Sequence, residues 1–202
     1  MNDPWPDPFP EPADWRPTPP PAIVPVAAAS RRDGVRGARV VVGLPGLGWR
    51  ADLRGDDPVV QGSRTFLPVI PEGEWYRAEA EQVEVFAPLV PIERVWVETV
   101  AASAEAGVPA AEDVVSRLVS LDAPPRREPV AVIDAGPLTG RRVVWLVDGA
   151  PRRDLRAVTE LHSGADGDIC VRVATELDWY RWAWSGKTPK TLEVPVHLLW
   201  VE

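Results

Sequence analysis

The sequence predicts a mainly β protein made of two copies of one small, barrel-like unit joined by a short α-helical linker. Three observations carry that prediction. Trp75-Tyr76-Arg77 recurs as Trp179-Tyr180-Arg181, and Pro91 to Glu98 recurs as Pro195 to Glu202, each 104 residues further on. Aligned without gaps, Thr65 to Glu98 and Ile169 to Glu202 share 10 identities in 34 positions, several of them in rare residues. Second, short strand-like runs alternate with clusters of Gly, Pro and Asp, the pattern of a sandwich or barrel. Third, proline cannot donate a ladder hydrogen bond, so Pro45, Pro68, Pro71, Pro88 and Pro91 belong at edges, bulges or loops of small, strongly curved sheets.

Residues 1–19 read as a Pro-rich extended arm. Its end, Arg16-Pro17-Thr18-Pro19 with Pro20 and Pro21, favours polyproline II, which docks on aromatic grooves at low entropic cost. The arm could lie on its own barrels or on another subunit, which makes self-association a candidate property. Residues 20–98 form the first repeat, with strands expected at Ala38 to Val42, Thr65 to Ile70, Trp75 to Ala80 and Val95 to Val97. Residues 99–123 form the linker. Thr99 to Ala106 suits a short helix, and Val114, Val115, Leu118, Val119 and Leu121 recur at helical spacing behind Pro109, predicting a second over 109–121. Residues 124–202 form the second repeat, with strands expected at Arg142 to Val147, Ile169 to Ala174, Trp179 to Trp184 and Val196 to Val201.

Composition excludes several function classes. A net charge of −8 over 202 residues argues against the basic footprint of nucleic-acid binding and against anionic membrane surfaces. Cys170 is the one cysteine, so neither an intrachain disulfide nor a cysteine-rich zinc site can form. The acidic, Pro-rich start lacks a signal-peptide pattern, and no run approaches the roughly 20 apolar residues that cross a bilayer. A cytoplasmic protein is expected.

Motifs with catalytic chemistry are weak. Gly43-Leu44-Pro45-Gly46-Leu47-Gly48 has no helix behind it and reads as a turn rather than a phosphate loop. His162 and His197 lack partners at metal or acid–base spacing, and Asp166-Gly167-Asp168 lacks the remaining ligands of a calcium loop. No catalytic residue, metal or cofactor is assigned. Asp52 with Arg54 recurs as Asp154 with Arg156, and Arg77 as Arg181, which suggests structural Asp52–Arg77 and Asp154–Arg181 ion pairs. Read as a strand, Trp179 to Trp184 puts Tyr180, Trp182 and Trp184 on one face and Trp179 and Arg181 on the other, an aromatic surface suited to binding or to covering a partner element.

The order of features in each copy resembles a Src-homology-three-like (SH3-like) barrel. These are a Gly-Asp or Gly-Ser before a strand, an acid followed by Trp (Glu74-Trp75, Asp178-Trp179), and a late Val-Pro (Val90-Pro91, Val194-Pro195) before a final strand. The resemblance implies that Trp75 and Trp179 are groove tryptophans and Pro91 and Pro195 groove prolines. The early aromatic motif of that family is missing, and Arg94 and Leu198 stand where its groove tyrosine follows the proline. The expected function is a non-catalytic protein-binding or assembly adaptor with a protein or peptide partner, its candidate surface formed by Trp75, Tyr76, Trp179, Tyr180, Trp182, Trp184, Pro91 and Pro195. Two alternatives remain open: a structural subunit of a phage- or tail-like particle, or a small enzyme whose inter-repeat cleft uses Glu72, Glu176, Arg77 and Arg181.

Overall fold

The computed structural model describes residues 18–31, 34–44, 48–101 and 124–202. The first repeat contains β1 (Ile23–Ala27), β2 (Arg39–Leu44), β3 (Gly48–Gly55), β4 (Val59–Gln61), β5 (Arg64–Pro71), α1 (Glu72–Glu81), β6 (Leu89–Pro91) and β7 (Val95–Val100). The second repeats that order as β8 (Val130–Ala131), β9 (Arg142–Val147), β10 (Ala150–Ala157), β11 (His162–Ser163), β12 (Ile169–Thr175), α2 (Glu176–Ser185), β13 (Leu192–Pro195) and β14 (Leu199–Val201). Each repeat is one curled antiparallel sheet of seven strands, in the orders β1-β7-β2-β3-β5-β4 and β8-β14-β9-β10-β12-β11, with β6 on β5 and β13 on β12.

The curl is made at β5 and β12. The first half of β5 pairs with β4 on one side and β6 on the other, while Val69 to Pro71 pair with β3. Pro68 has no N–H to give at the changeover, but its carbonyl accepts from Asp56 at 3.0 Å. Each sheet wraps its own core: Val40, Leu53, Leu67, Val69, Val95 and Val97 in the first repeat, and Val143, Leu155, Val171, Val173, Leu199 and Val201 at the matching places in the second.

Two expected strands are helices. Trp75 to Ala80 lies within α1, and Trp179 to Trp184 within α2. Aromatic residues favour strands only weakly, and stronger local signals prevail. Acids occupy the first turn of both helices, where the positive end of the helix dipole favours them. In α2, Thr175 caps the end: its hydroxyl oxygen accepts from the Asp178 N–H at 3.2 Å and its O–H donates to the Asp178 carboxylate at 3.1 Å. Gln82 and Gly186 close the helices in left-handed geometry. The two-faced strand reading of the Trp179 to Trp184 run falls with this correction. Near the C-terminus, Val196–Leu198 is a single 3-10 turn, so the last strand is only Leu199–Val201. Thr99 and Val100, expected in a linker helix, belong to β7, and the linker helix 109–121 lies outside the described residues.

Gly37 and Gly140 occupy matching turns at φ +72° and +84°, and a Cβ on either would stand 3.3 Å from the ring of Trp75 or Trp179. Gly149, at φ +77°, has open space around it. We expect Gly149→Ala to cost about 1–2 kcal/mol from the left-handed backbone alone, and Gly37→Ala or Gly140→Ala to cost measurably more in urea denaturation.

Candidate functional site

The residues that recur between the copies converge where the repeats meet. In each sheet two arginines stand directly opposite one another on neighbouring strands, Arg39 against Arg54 and Arg142 against Arg156. Like charges in that register repel unless a counter-charge lies between them. The helices supply it. Glu72 and Glu176, the first residues of α1 and α2, have fully buried side chains.

Each glutamate is held by all four guanidinium groups. Glu72 lies 3.0 Å from Arg54, 2.8 Å from Arg142, 2.9 Å from Arg156 and 3.9 Å from Arg39. Glu176 lies 2.9 Å from Arg54, 3.1 Å from Arg39, 3.4 Å from Arg142 and 3.7 Å from Arg156. The shortest contacts cross between repeats wherever an Nη atom is used. Tyr76 accepts from Arg54 at 2.8 Å and donates to Glu176 at 2.9 Å, and Tyr180 accepts from Arg156 at 2.7 Å and donates to Glu72 at 3.0 Å. The two phenol rings stack with centroids 5.5 Å apart.

An outer ring of acids completes the cluster. Asp52 reaches across to Arg142 at 2.9 Å and Arg156 at 3.0 Å, and Asp154 reaches Arg39 at 2.7 Å. Both aspartates sit at bulges with left-handed backbones, φ 57° and 60°. That uncommon geometry is tolerated where surrounding structure fixes it. Glu98 takes Arg142 and Arg127, while Glu202 takes Arg39 and Arg153. Six guanidinium groups thus face six carboxylates.

The cluster lies on a pseudo-twofold axis. Ile23 and Arg127, equivalent positions in the duplication, exchange backbone hydrogen bonds at 2.9 and 3.0 Å, as a residue and its own symmetry mate do in an isologous interface. Burial alone would raise the Glu72 carboxyl, but Arg142, then Arg54 and Arg156, outweigh it and hold the group below the usual carboxylate range. Burial, and then the neighbouring Glu176 or Glu72, pushes the Tyr76 and Tyr180 phenols above their ordinary value.

The expected Asp52–Arg77 and Asp154–Arg181 pairs do not form. Both aspartates are engaged by the other repeat's β-strand arginines, while Arg77 pairs with Glu81 and Arg181 with Asp178 on their own helix surfaces. The four residues of the enzyme alternative therefore do not converge: Glu72 and Glu176 are buried at the axis, and Arg77 and Arg181 are spent on the helices. Trp75 and Trp179 are half-buried against the Gly37 and Gly140 turns, Trp182 packs edge-on to Trp179 at 5.5 Å and is 38% exposed, and Trp184 is half-buried. Pro91 and Pro195 end β6 and β13, opposite Phe66 and Cys170. His162 lies on β11 with Nε2 2.7 Å from Glu193.

A second feature recurs on the outer flank of each repeat, between β3 and α1 and between β10 and α2. In the first repeat a groove of about 390 Å³ runs between Arg50 and Glu74 over Leu53, Val69, Phe86 and Val90. It adjoins a further hollow along α1 that shares Glu74 and Phe86. In the second repeat a groove of about 200 Å³ runs between Arg152 and Asp178 over Leu155, Val173 and Leu192, with Lys190 beside it. No family model matches the chain, nor does any curated protein or solved structure match it.

Removing one charge from the axis strands its partners. We expect Glu72→Gln to destabilise the protein by about 3–5 kcal/mol, the usual cost of breaking a buried pair, and Glu72→Gln with Glu176→Gln to cost less than the sum, because both acids share four arginines. Thermal denaturation across pH checks the titration. A carboxylate with a lowered folded value contributes stability that is present above the unfolded value near 4.3 and lost as pH falls through the folded one. A phenol with a raised folded value contributes stability present below about 10 and lost above it. The melting temperature should therefore hold between these limits and fall on both sides, with the alkaline fall reduced in Tyr76→Phe with Tyr180→Phe.

Proposed function

We propose that the protein is a non-catalytic binding adaptor in which two SH3-like units, locked about a pseudo-twofold axis, each offer an outer groove to an extended protein segment. The single observation that carries this reading is the recurrence of groove chemistry at solvent-facing positions. Arg50 and Arg152 are exposed, and each faces an acid on the helix, Glu74 or Asp178, across an aliphatic floor. Neither core nor axis requires that pairing of charge and apolar floor. An extended peptide, with side chains alternating between floor and walls, matches a shallow groove beside a sheet and helix better than a compact small molecule does.

In repeat one Phe86 stands 95% exposed at the groove margin, and Val83 is half exposed in the adjoining hollow. Aromatic anchors of this sort mark binding sites rather than cores. The finer SH3-like assignment finds support in the small curled sheets. Its groove tryptophans, however, rest on helices against glycine turns in this chain, which moves the proposed binding surface from Trp75 and Trp179 to the Arg50 and Arg152 grooves.

The test is chemical cross-linking and capture from host lysate with wild type, Arg50→Glu, Arg152→Glu and the double variant, each shown to melt like wild type. A bivalent adaptor should lose a partner by about tenfold or more in either single variant, because avidity needs both grooves, and lose it altogether in the double. Recovery of one partner set by all four proteins would refute the reading.

A further inference from the structure

We propose that, until a partner segment displaces it, the groove of the second repeat holds the chain's own N-terminal segment, Asp3-Pro4-Trp5-Pro6-Asp7-Pro8-Phe9-Pro10. The inference rests on the groove reading above and names one occupant for one of the two grooves. The sequence of the segment is a tandem tetrapeptide, an acid, a proline, an aromatic and a proline, written twice. It supplies, at short spacing, the two chemistries that the groove can satisfy: a carboxylate for a cation and a ring for an aliphatic floor.

Charge selects the second groove over the first. Arg152 and Lys190 flank its floor against the single acid Asp178, so it is locally cationic on a chain of net charge −8. In the first groove Arg50 is matched by Glu74 and no second cation lines it. Residues 1–17 carry Asp3, Asp7, Glu11 and Asp14 against Arg16 alone. Opposite charge at an exposed site steers and orients more than it tightens. An aromatic ring laid on Leu192, which is 47% exposed, would add apolar burial to that charge contact.

The path of the chain agrees. Just before β1 the chain lies between the repeats: the Ala22 carbonyl accepts from Ala101, directly after β7, at 2.9 Å, and one residue earlier the Pro21 carbonyl accepts from Arg153 of the second repeat at 2.8 Å. Arg153 is the neighbour of Arg152 on β10, where alternation sends the two side chains to opposite faces. An extended chain advances about 3.1 Å per residue, so the eight steps from Pro10 to Thr18 would span up to about 25 Å. The groove, at about 200 Å³, falls below the roughly 300–1,000 Å³ of pockets that enclose whole small molecules and suits one or two side chains of a peptide. Proline-rich sequence lowers the ordering cost of such docking.

The experiment uses the full chain with the photo-cross-linking residue p-benzoylphenylalanine in place of Phe9. After irradiation at low micromolar concentration, the expected product is monomeric, with cross-links from position 9 to Thr175, Thr191 or Leu192 in mass spectra. Lys190→Glu, and separately Arg152→Glu, should lower the yield about tenfold, the loss of roughly one favourable charge contact, without moving the melting temperature. A cross-linked dimer would show that a second copy's segment fills the groove and would overturn the proposal. Cross-links to the first groove, scattered cross-links, or a yield indifferent to both variants would overturn it equally. If the cross-links fail while partner capture still depends on Arg152, this occupant falls and the groove reading stands.

Discussion

The structure depends on a buried constellation of guanidinium and carboxylate groups at the axis that relates its two halves. Each repeat has a complete apolar core of its own, so hydrophobic burial folds the halves but does not fix how they meet. What fixes it is the repulsion built into each sheet, where two arginines oppose one another on adjacent strands. Neither sheet can settle that repulsion with its own helix glutamate alone. Glu72 and Glu176 are shared by all four arginines, and the geometry exists only when both halves are present and in register.

Such clusters are poor sources of net stability, because removing charges from water costs nearly as much as their attraction returns. Their strength is discrimination. A slip of one helix or one strand register would leave several buried charges unpaired, at several kcal/mol each. The arrangement is that of an isologous homodimer written into one chain. The copies have since diverged at the periphery: Glu98 draws on Arg127 and Glu202 on Arg153, and the positions equivalent to these arginines are Ile23 and Ala51. Divergence is greater still in the outer grooves, where Phe86 faces Lys190 across the alignment while the Arg-and-acid pair persists. A rigid axis with variable flanks suits the adaptor role proposed above.

Much of this was legible in the residues. Rare identities exposed the duplication, and β-branched runs located β2, β5, β9 and β12 closely. The charged strands β3 and β10 were not legible, because Trp49-Arg50-Ala51-Asp52 has no apolar alternation on the face it turns to the other repeat. The helices were missed because their aromatic content resembles a strand, and because the reason for helix is tertiary: Glu72 and Tyr76, four apart, must reach the axis from one face. The recurrence of Asp52, Arg54 and their counterparts flagged a structural set, yet its wiring was hidden. In a duplicated chain a residue's partner in its own copy and the equivalent partner in the other copy have the same identity, so sequence alone cannot tell an internal pair from a crossed one.

If crossed contacts through the axis hold the halves in register, Arg54 and Glu176 must be energetically coupled, which a double-mutant cycle measures. These two lie 2.9 Å apart and belong to different repeats. With Arg54→Met, Glu176→Met and the combined variant compared by urea denaturation, the expected coupling energy is about 1.5 kcal/mol or more, as close charge pairs across interfaces show. Additive losses, with coupling near zero, would mean that the arginine and glutamate act independently and that the register is set elsewhere.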